Sequence, residues 1–414
     1  MNIDIDQIQN IFLTNNHEAL FEYVISENKI HLFIIQKKQM NVITEDLDAD
    51  MWNDVSGLRK ALMDDNFEGY RLLSNKLYSK LIAPSEEILN KNNIKHIIVI
   101  PDGWLHYLPL EILSRSGDQD NFATVPYLVK RFQFSYDYSA NLALQFKNRK
   151  INELKVGVLA FAPEFKNISE PLLTESLMIK RDSLASLQGT KTELKNIGQL
   201  FTGNYFIGPA ATESKFKKLA RQFSIIHLAT HAVVEDNNPE FSRLIFDEDT
   251  ILDEDGKLYA YELFSLQLNA ELVTLSACNT GMGKFQEGEG LMSLARGFMY
   301  AGCPSLVVSL WSVSDKSTAE VVKLFYEGLK KGMSKDEALQ QAKMEYISHS
   351  DPLEANPVYW GGLVLVGNPS PLEKVPSGPW NWKIIIGIIS MLIVLLLVAR
   401  VIVKRRNSSN HSFL

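Results

Sequence analysis

The chain has 414 residues, 46% of them hydrophobic and 22% charged, which allows a sizeable core and excludes a disordered or collagen-like polymer. Its 42 basic and 49 acidic residues leave a net charge of −7, the wrong sign for sequence-independent binding to nucleic-acid phosphates. Two cysteines are too few for a disulfide scaffold or a cysteine-rich zinc site, and so sparse a use of thiols points to a reducing compartment.

In chain order, strands are expected at 21–26, 30–36 and 41–44, followed by helical periodicity over about 51–82. The apolar segment KHIIVIP reads as a buried strand that ends at Pro101, and 155–161 reads as another buried strand. Thr190-x-x-Glu193 matches a capping box and should open a helix that reaches Phe201. Strands are then expected in FSIIHLAT (223–230), SRLIFD (242–247), ELVTLSA (271–277) and PSLVVSLW (304–311), with helices near 291–301, 314–331 and 334–348. Several strands are continuously apolar instead of alternating, so both of their faces are expected to be buried. The repeated strand–helix order predicts an α/β, doubly wound, mostly parallel sheet with helices on both faces. In such sheets functional residues lie beyond the carboxyl ends of the strands.

The carboxyl-terminal region differs in kind. Residues 384–403 read IIIGIISMLIVLLLVARVIV. At 1.5 Å per residue, about 20 residues span the roughly 30 Å of a bilayer core, so a transmembrane helix is expected. Trp380 and Trp382 mark one end as an aromatic belt would, and Arg400 lies where its stem reaches the other interface. The stretch 367–379, with four prolines, reads as an extended spacer. Lys404, Arg405 and Arg406 favour a cytoplasmic tail by the positive-inside rule. Yet the amino terminus shows no signal peptide, which favours a tail-anchored protein with its body in the cytoplasm. The two readings of sidedness conflict unless an upstream region once carried an export signal. The expected domains are therefore 1–150, 151–367, a proline-rich linker at 368–383, a membrane helix at 384–403 and a basic tail at 404–414.

Two strands end in chemistry. FSIIHLAT runs into His231, and ELVTLSA runs into Cys278. Imidazole and thiol at adjacent strand ends supply a nucleophile and a proton carrier, and the backbone N–H groups of Cys278 and Ala232 could stabilise an oxyanion. The bland alternative is a core cysteine and a packed histidine. Zinc is rejected: His227 and His231 lie four apart in a β-rich stretch, where that spacing separates them by about 13 Å. No G-x-S-x-G elbow and no P-loop is present. GKFQEGEG (283–290) reads as a loop, and Cys303, before Pro304, reads as structural.

Five ordered blocks carry a family likeness: PDGWLHYLPLEIL (101–113), IIHLATHA (225–232), LVTLSACNTGMG (272–283), GEGLMSLARGFMYAGCPSLVVSLWSVSD (288–315) and VYWGGLVLVG (358–367). Over roughly residues 15–367 the chain resembles the CHAT domain, of the caspase–separase group of cysteine peptidases. The resemblance implies a caspase-like fold in which His231 is the catalytic histidine and Cys278 the nucleophile, with no metal or other cofactor in the chemistry. Where much of the group has glycine after the histidine, this chain has Ala232, which keeps the N–H. Asp315 matches an acidic residue that holds an Arg or Lys side chain before the scissile bond. Its alternative is a helix cap, shared with Ser314. Asp102 lies in another family block, though turn chemistry alone accounts for it. Family members often carry tetratricopeptide repeats ahead of the domain. Here 1–150 look instead like the amino-terminal half of the domain, resembling a degenerate caspase-like lobe, so that regulation is expected from a separate protein or from dimerisation in the membrane. The implied function is limited cleavage of a partner protein in signalling or defence. Two other readings stay open: a non-catalytic, membrane-bound interaction scaffold, and a thiol-dependent acyl transferase or amidase acting on small substrates.

Overall fold

The computed structural model describes residues 4–48, 50–115, 119–147, 155–164, 188–235, 238–249, 254–276, 293–311, 315–373 and 390–391. Residues Met1–Ser377 form one compact unit and Gly378–Leu414 a second. In the second, only Ser390 and Met391 are described, both helical. No described helix is long and apolar enough to cross a membrane, and the rest of the expected span 384–403 lies outside the described residues.

After a short helical segment at 5–12 comes a meander: β1 (Glu18–Ser26), β2 (Lys29–Gln36) and β3 (Gln39–Asp46), paired antiparallel. The periodicity over 51–82 resolves into two helices, α1 (Met51–Met63) and α2 (Phe67–Leu81). The break is local chemistry: Asp65 takes a left-handed φ of 51°, and the Asn66 side chain then accepts from the Gly69 N–H at 3.0 Å to cap α2. Strands β4 (His96–Ile100) and β5 (Gln133–Tyr136) and helix α3 (Ala140–Lys147) complete the amino-terminal region. The remainder supplies β6 (Lys155–Ala162), α4 (Gln188–Leu200), β7 (Gly203–Ile207), α5 (Glu213–Leu219) and β8 (Phe223–Leu228). Three short strands follow, β9 (Ala232–Val233), β10 (Arg243–Ile245) and β11 (Lys257–Tyr259). The last elements are β12 (Leu272–Leu275), α6 (Ser293–Ala301), β13 (Ser305–Ser309), α7 (Asp315–Lys330), α8 (Lys335–His349) and β14 (Leu363–Gly367).

Eleven of these strands form one sheet in the order β3-β2-β1-β4-β5-β14-β13-β12-β8-β6-β7, and β9–β11 form a small antiparallel sheet beside it. The large sheet is mostly parallel, as expected, but in two opposed blocks. β1, β4, β5 and β14 run together, and β13, β12, β8, β6 and β7 run together. The blocks meet at an antiparallel seam between β13 and β14. The 242–247 segment, expected as a strand, contributes only β10, to the small sheet.

Period-two alternation shows how both faces are covered. Phe21, Leu32, Ile34, Ile97 and Val99 pack into the main core with Val55, Leu58 and Leu77 of the two helices. Their neighbours Leu20, Ile35, Ile98 and Ile100 turn to the opposite face, against Ile8, Phe12, Ala143 and Leu144. β8, β12 and β13 are buried along their whole length, as continuously apolar strands should be.

Candidate active site

The site is set by the register of three parallel strands. Leu228 of β8 pairs with Leu275 of β12, and Leu275 pairs with Val308 of β13. His231, Cys278 and Trp311 each come three residues later in the sequence. Cys278 itself lies outside the described residues, as does the 283–290 stretch.

His231 is held by its backbone. Ala229 N–H donates to the Phe161 carbonyl at 2.9 Å, and the Thr230 hydroxyl donates to the Ile245 carbonyl. Ile245 N–H donates in turn to the His231 carbonyl at 2.9 Å. That bond makes Ala232–Leu244 a non-hydrogen-bonded pair of the β9–β10 ladder, so the Ala232 N–H is directed away from β10. The imidazole is 9% exposed, and burial pushes its pKa down to about 4. At neutral pH it is uncharged and therefore able to accept a proton.

Asp315 is the first residue of α7, and its side chain lies outside the description. Asp102 does more than turn the chain. Its carboxylate accepts from the Ile25 N–H at 2.7 Å, tying the loop after β4 to the end of β1, while Gly103 takes φ 52°. Cys303 is fully buried, with its thiol donating to the Ser305 carbonyl at 3.1 Å.

A buried polar network behind the strand ends was not legible as such in the sequence. Glu193 of α4 accepts from Ser276 Oγ at 3.0 Å and lies 3.1 Å from His227 Nε2. His227 Nδ1 lies 3.3 Å from the Tyr326 hydroxyl of α7, which is 3.1 Å from Thr274 Oγ1. The expected capping role of Thr190 and Glu193 is thus corrected. The helix begins two residues before Thr190, and Glu193 faces inward instead of back to a cap. The available signal was polarity: His227 and Thr274 are polar residues inside fully buried, mainly apolar strands.

Among the described residues, Glu213, Glu254 and Glu262 are close enough together to ligate a cation. The Lys217 ammonium sits 2.7 Å from each and supplies the positive charge internally.

A CHAT domain model matches residues 71–368, more than half of the chain. The chain belongs to the CHAT domain family. This CHAT domain is 25% identical over 340 residues to human tetratricopeptide repeat protein 28, covering 73% of the chain and 13% of that protein. The mouse protein of the same name is 24% identical over 344 residues, with the same coverage. The CHAT chain therefore spans about an eighth of the length of the relatives it matches. Among solved structures, a chain of the Saccharomyces cerevisiae separase–securin complex superposes with a TM-score of 0.52 at 10% identity, covering 89% of this chain and 31% of that one. At that identity the likeness is one of fold, the caspase-like arrangement of a mostly parallel sheet.

Proposed function

We propose that this CHAT domain is a cysteine endopeptidase with a His231–Cys278 dyad, tethered to a membrane by residues 384–403. The observation that carries the reading is the register of β8 and β12. Two paired parallel strands hold partners Leu228 and Leu275 side by side, and a histidine and a cysteine each follow three residues later. Strand neighbours are about 4.8 Å apart, a separation that two side chains close to hydrogen-bond distance.

The chemistry follows from the state of His231. Neutral imidazole takes the Cys278 proton, and the thiolate attacks the scissile carbonyl. The Ala232 and Cys278 N–H groups donate to the developing oxyanion. The imidazolium then protonates the leaving amine, leaving an acyl-enzyme on sulfur. His231 next takes a proton from water, whose oxygen attacks the thioester, and returns that proton to the departing thiolate. Asp315, at the start of the helix after β13, would accept the charge of an Arg or Lys before the cut bond. A protein substrate on the same membrane, and a separate regulatory protein, complete the reading.

The test is cleavage profiling of the full chain with a diverse peptide library, beside Cys278→Ala and His231→Ala. Cuts after Arg or Lys should vanish in both variants and should become unselective in Asp315→Ala. Cuts after other residues would remove the Asp315 role and keep the dyad. Cleavage that persists in Cys278→Ala would end the peptidase reading. A chain lacking 384–403, followed by membrane fractionation, tests the tether in the same preparations.

A further inference from the structure

The face of the large sheet that carries the smaller core cluster also holds a cavity of about 540 Å³, within the range of small-molecule sites. Phe12, Ile98 and Ala143 form its apolar wall. Its polar wall includes two buried carboxyl groups, Asp336 and Asp137. Asp336, the second residue of α8, is 3% exposed. Its Oδ2 lies 3.4 Å from His96 Nε2, which Ser135 Oγ shares at 3.0 Å. Its Oδ1 is buried without a hydrogen-bond partner. The neighbouring Lys335 ammonium is turned elsewhere, donating to the carbonyls of Ser370 at 2.7 Å and Asn368 at 3.3 Å. A buried carboxylate oxygen left unpaired costs the fold free energy, so the cavity is short of a donor at this end.

Asp137, directly after β5, is the second group. Burial pushes its pKa up to about 7, and only the N–H groups of Tyr138 and Ser139 act against this, with no cation to help them. The sheet register places the two carboxyl groups. His96 of β4 pairs with Gln133 of β5, and Gln133, Ser135 and Asp137 share one face by strand alternation. Asp336 therefore meets β5 at the level of Gln133 to Ser135. Asp137 lies two to four residues further on, roughly 7–13 Å away at 3.3 Å per residue. Ile98, the partner of Ser135, puts its apolar side chain between the two levels. The pair is not a metal site: among the described residues, only Glu213, Glu254 and Glu262 are grouped closely enough to ligate an ion. The other charges around the cavity are engaged. Lys147 donates to the Phe12 carbonyl, Glu18 accepts from Thr14 and Asn15, and Lys95 is exposed.

We propose that this cavity binds a linear aliphatic polyamine, with one ammonium on Asp336, a second on Asp137, and the methylenes between them against Phe12, Ile98 and Ala143. Ammonium groups supply charge-assisted hydrogen bonds to both carboxylates, and the apolar wall suits the stem. Nothing in this depends on the peptidase reading. A bound polyamine ties the start of α8 to β4 and to the end of β5, so it stabilises the folded chain by mass action.

The experiment uses the full chain in detergent and reads both calorimetric binding and the urea midpoint. The probes are spermidine, butylamine, which has one ammonium, and hexaamminecobalt(III), which matches the charge of spermidine but is compact. The cobalt complex measures the general pull of a chain whose net charge is −7. Spermidine should raise the urea midpoint and bind at least about tenfold tighter than either of the other two. Asp336→Asn and Asp137→Asn keep the shape of the cavity and remove one charged end each. In either variant the ratio of spermidine to butylamine affinity should fall towards one. Each ratio is taken within one protein sample, so partial unfolding of a variant does not move it, and the wild-type series is decisive by itself if a variant does not fold. No binding of spermidine would mean that water alone fills the cavity, and would overturn the proposal. Binding matched by hexaamminecobalt(III), or a ratio unchanged in both variants, would also overturn it, as attraction to the surface. Butylamine binding as tightly as spermidine would overturn the two-ended contact.

Discussion

Burial fixes the protonation state of His231, and two pH effects follow. Folded, its pKa is about 4; in an unfolded chain it returns to about 6.5. Between those values the unfolded state binds the extra proton. Stability contributed by the neutral imidazole is therefore complete above pH 6.5 and is lost as pH falls towards 4, by at most about 3 kcal/mol. His231→Gln removes this group, so its urea midpoint should fall less than the wild type's between those pH values. An equal fall in both proteins would mean that other groups dominate the acid sensitivity. On the peptidase reading proposed above, the same low pKa would set the acid limb of kcat/KM. With imidazole already neutral at pH 5, activity should stay level from pH 7 down to about 5 and drop only near 4. A limb near 6.5 would show that the ring is solvated when it works.

The strands carrying the site are joined to the helices behind them by Glu193, His227, Tyr326 and Thr274, and this network belongs to elements more than to any one residue. α4 contributes Glu193, β8 contributes His227, β12 contributes Thr274, and α7 contributes Tyr326. Tyr326→Phe deletes one hydroxyl that meets two partners and should cost about 1–2 kcal/mol. Glu193→Ala strands both His227 Nε2 and the Ser276 hydroxyl, and should cost roughly 2–4 kcal/mol. Glu193→Gln keeps an acceptor and should lie between wild type and alanine. Urea unfolding measures all three, and an order that places Gln below Ala would refute the assignment of Glu193 as acceptor. Elements of this kind also mark what was legible in the sequence. The mainly apolar runs at 223–228 and 272–275, with no polar face, identify buried parallel strands, because every position there meets a neighbour on one face or the other. The break at Asp65 and the inward turn of Glu193 were not legible. Periodicity runs straight through 51–82, and S/T-x-x-E reads the same whether its glutamate caps the backbone or pairs across the core. Asp336 is hidden for a different reason: nothing local says that the first turn of α8 will meet His96 of β4, some 240 positions earlier.

At the scale of the whole molecule, the two opposed blocks of the sheet have to fold as one body, since β14, near the end of the unit Met1–Ser377, is inserted between β5 and β13. One polar link, between α8 and the amino-terminal region, is buried. Lys343 of α8 donates to Glu111 at 2.9 Å, both side chains are 3% exposed or less, and the Tyr136 hydroxyl of β5 donates to the same carboxylate. Desolvation takes back much of what such a pair gains, so its removal as a pair should cost far less than the loss of either half. Lys343→Met leaves Glu111 as an uncompensated buried charge and should lower stability by about 3–5 kcal/mol. Glu111→Gln should also destabilise, because the ammonium then loses its counter-charge. The double variant should recover a large part of the loss, giving a coupling of at least about 1 kcal/mol in a double-mutant cycle. Because one sheet connects both blocks, each variant should still unfold in a single urea transition, shifted as a whole. If Lys343→Met instead separates an early transition from a late one, the blocks are held together mainly by this pair. The continuous sheet alone would then be too weak to hold the start of α8 against β4 and β5, where Asp336 meets His96.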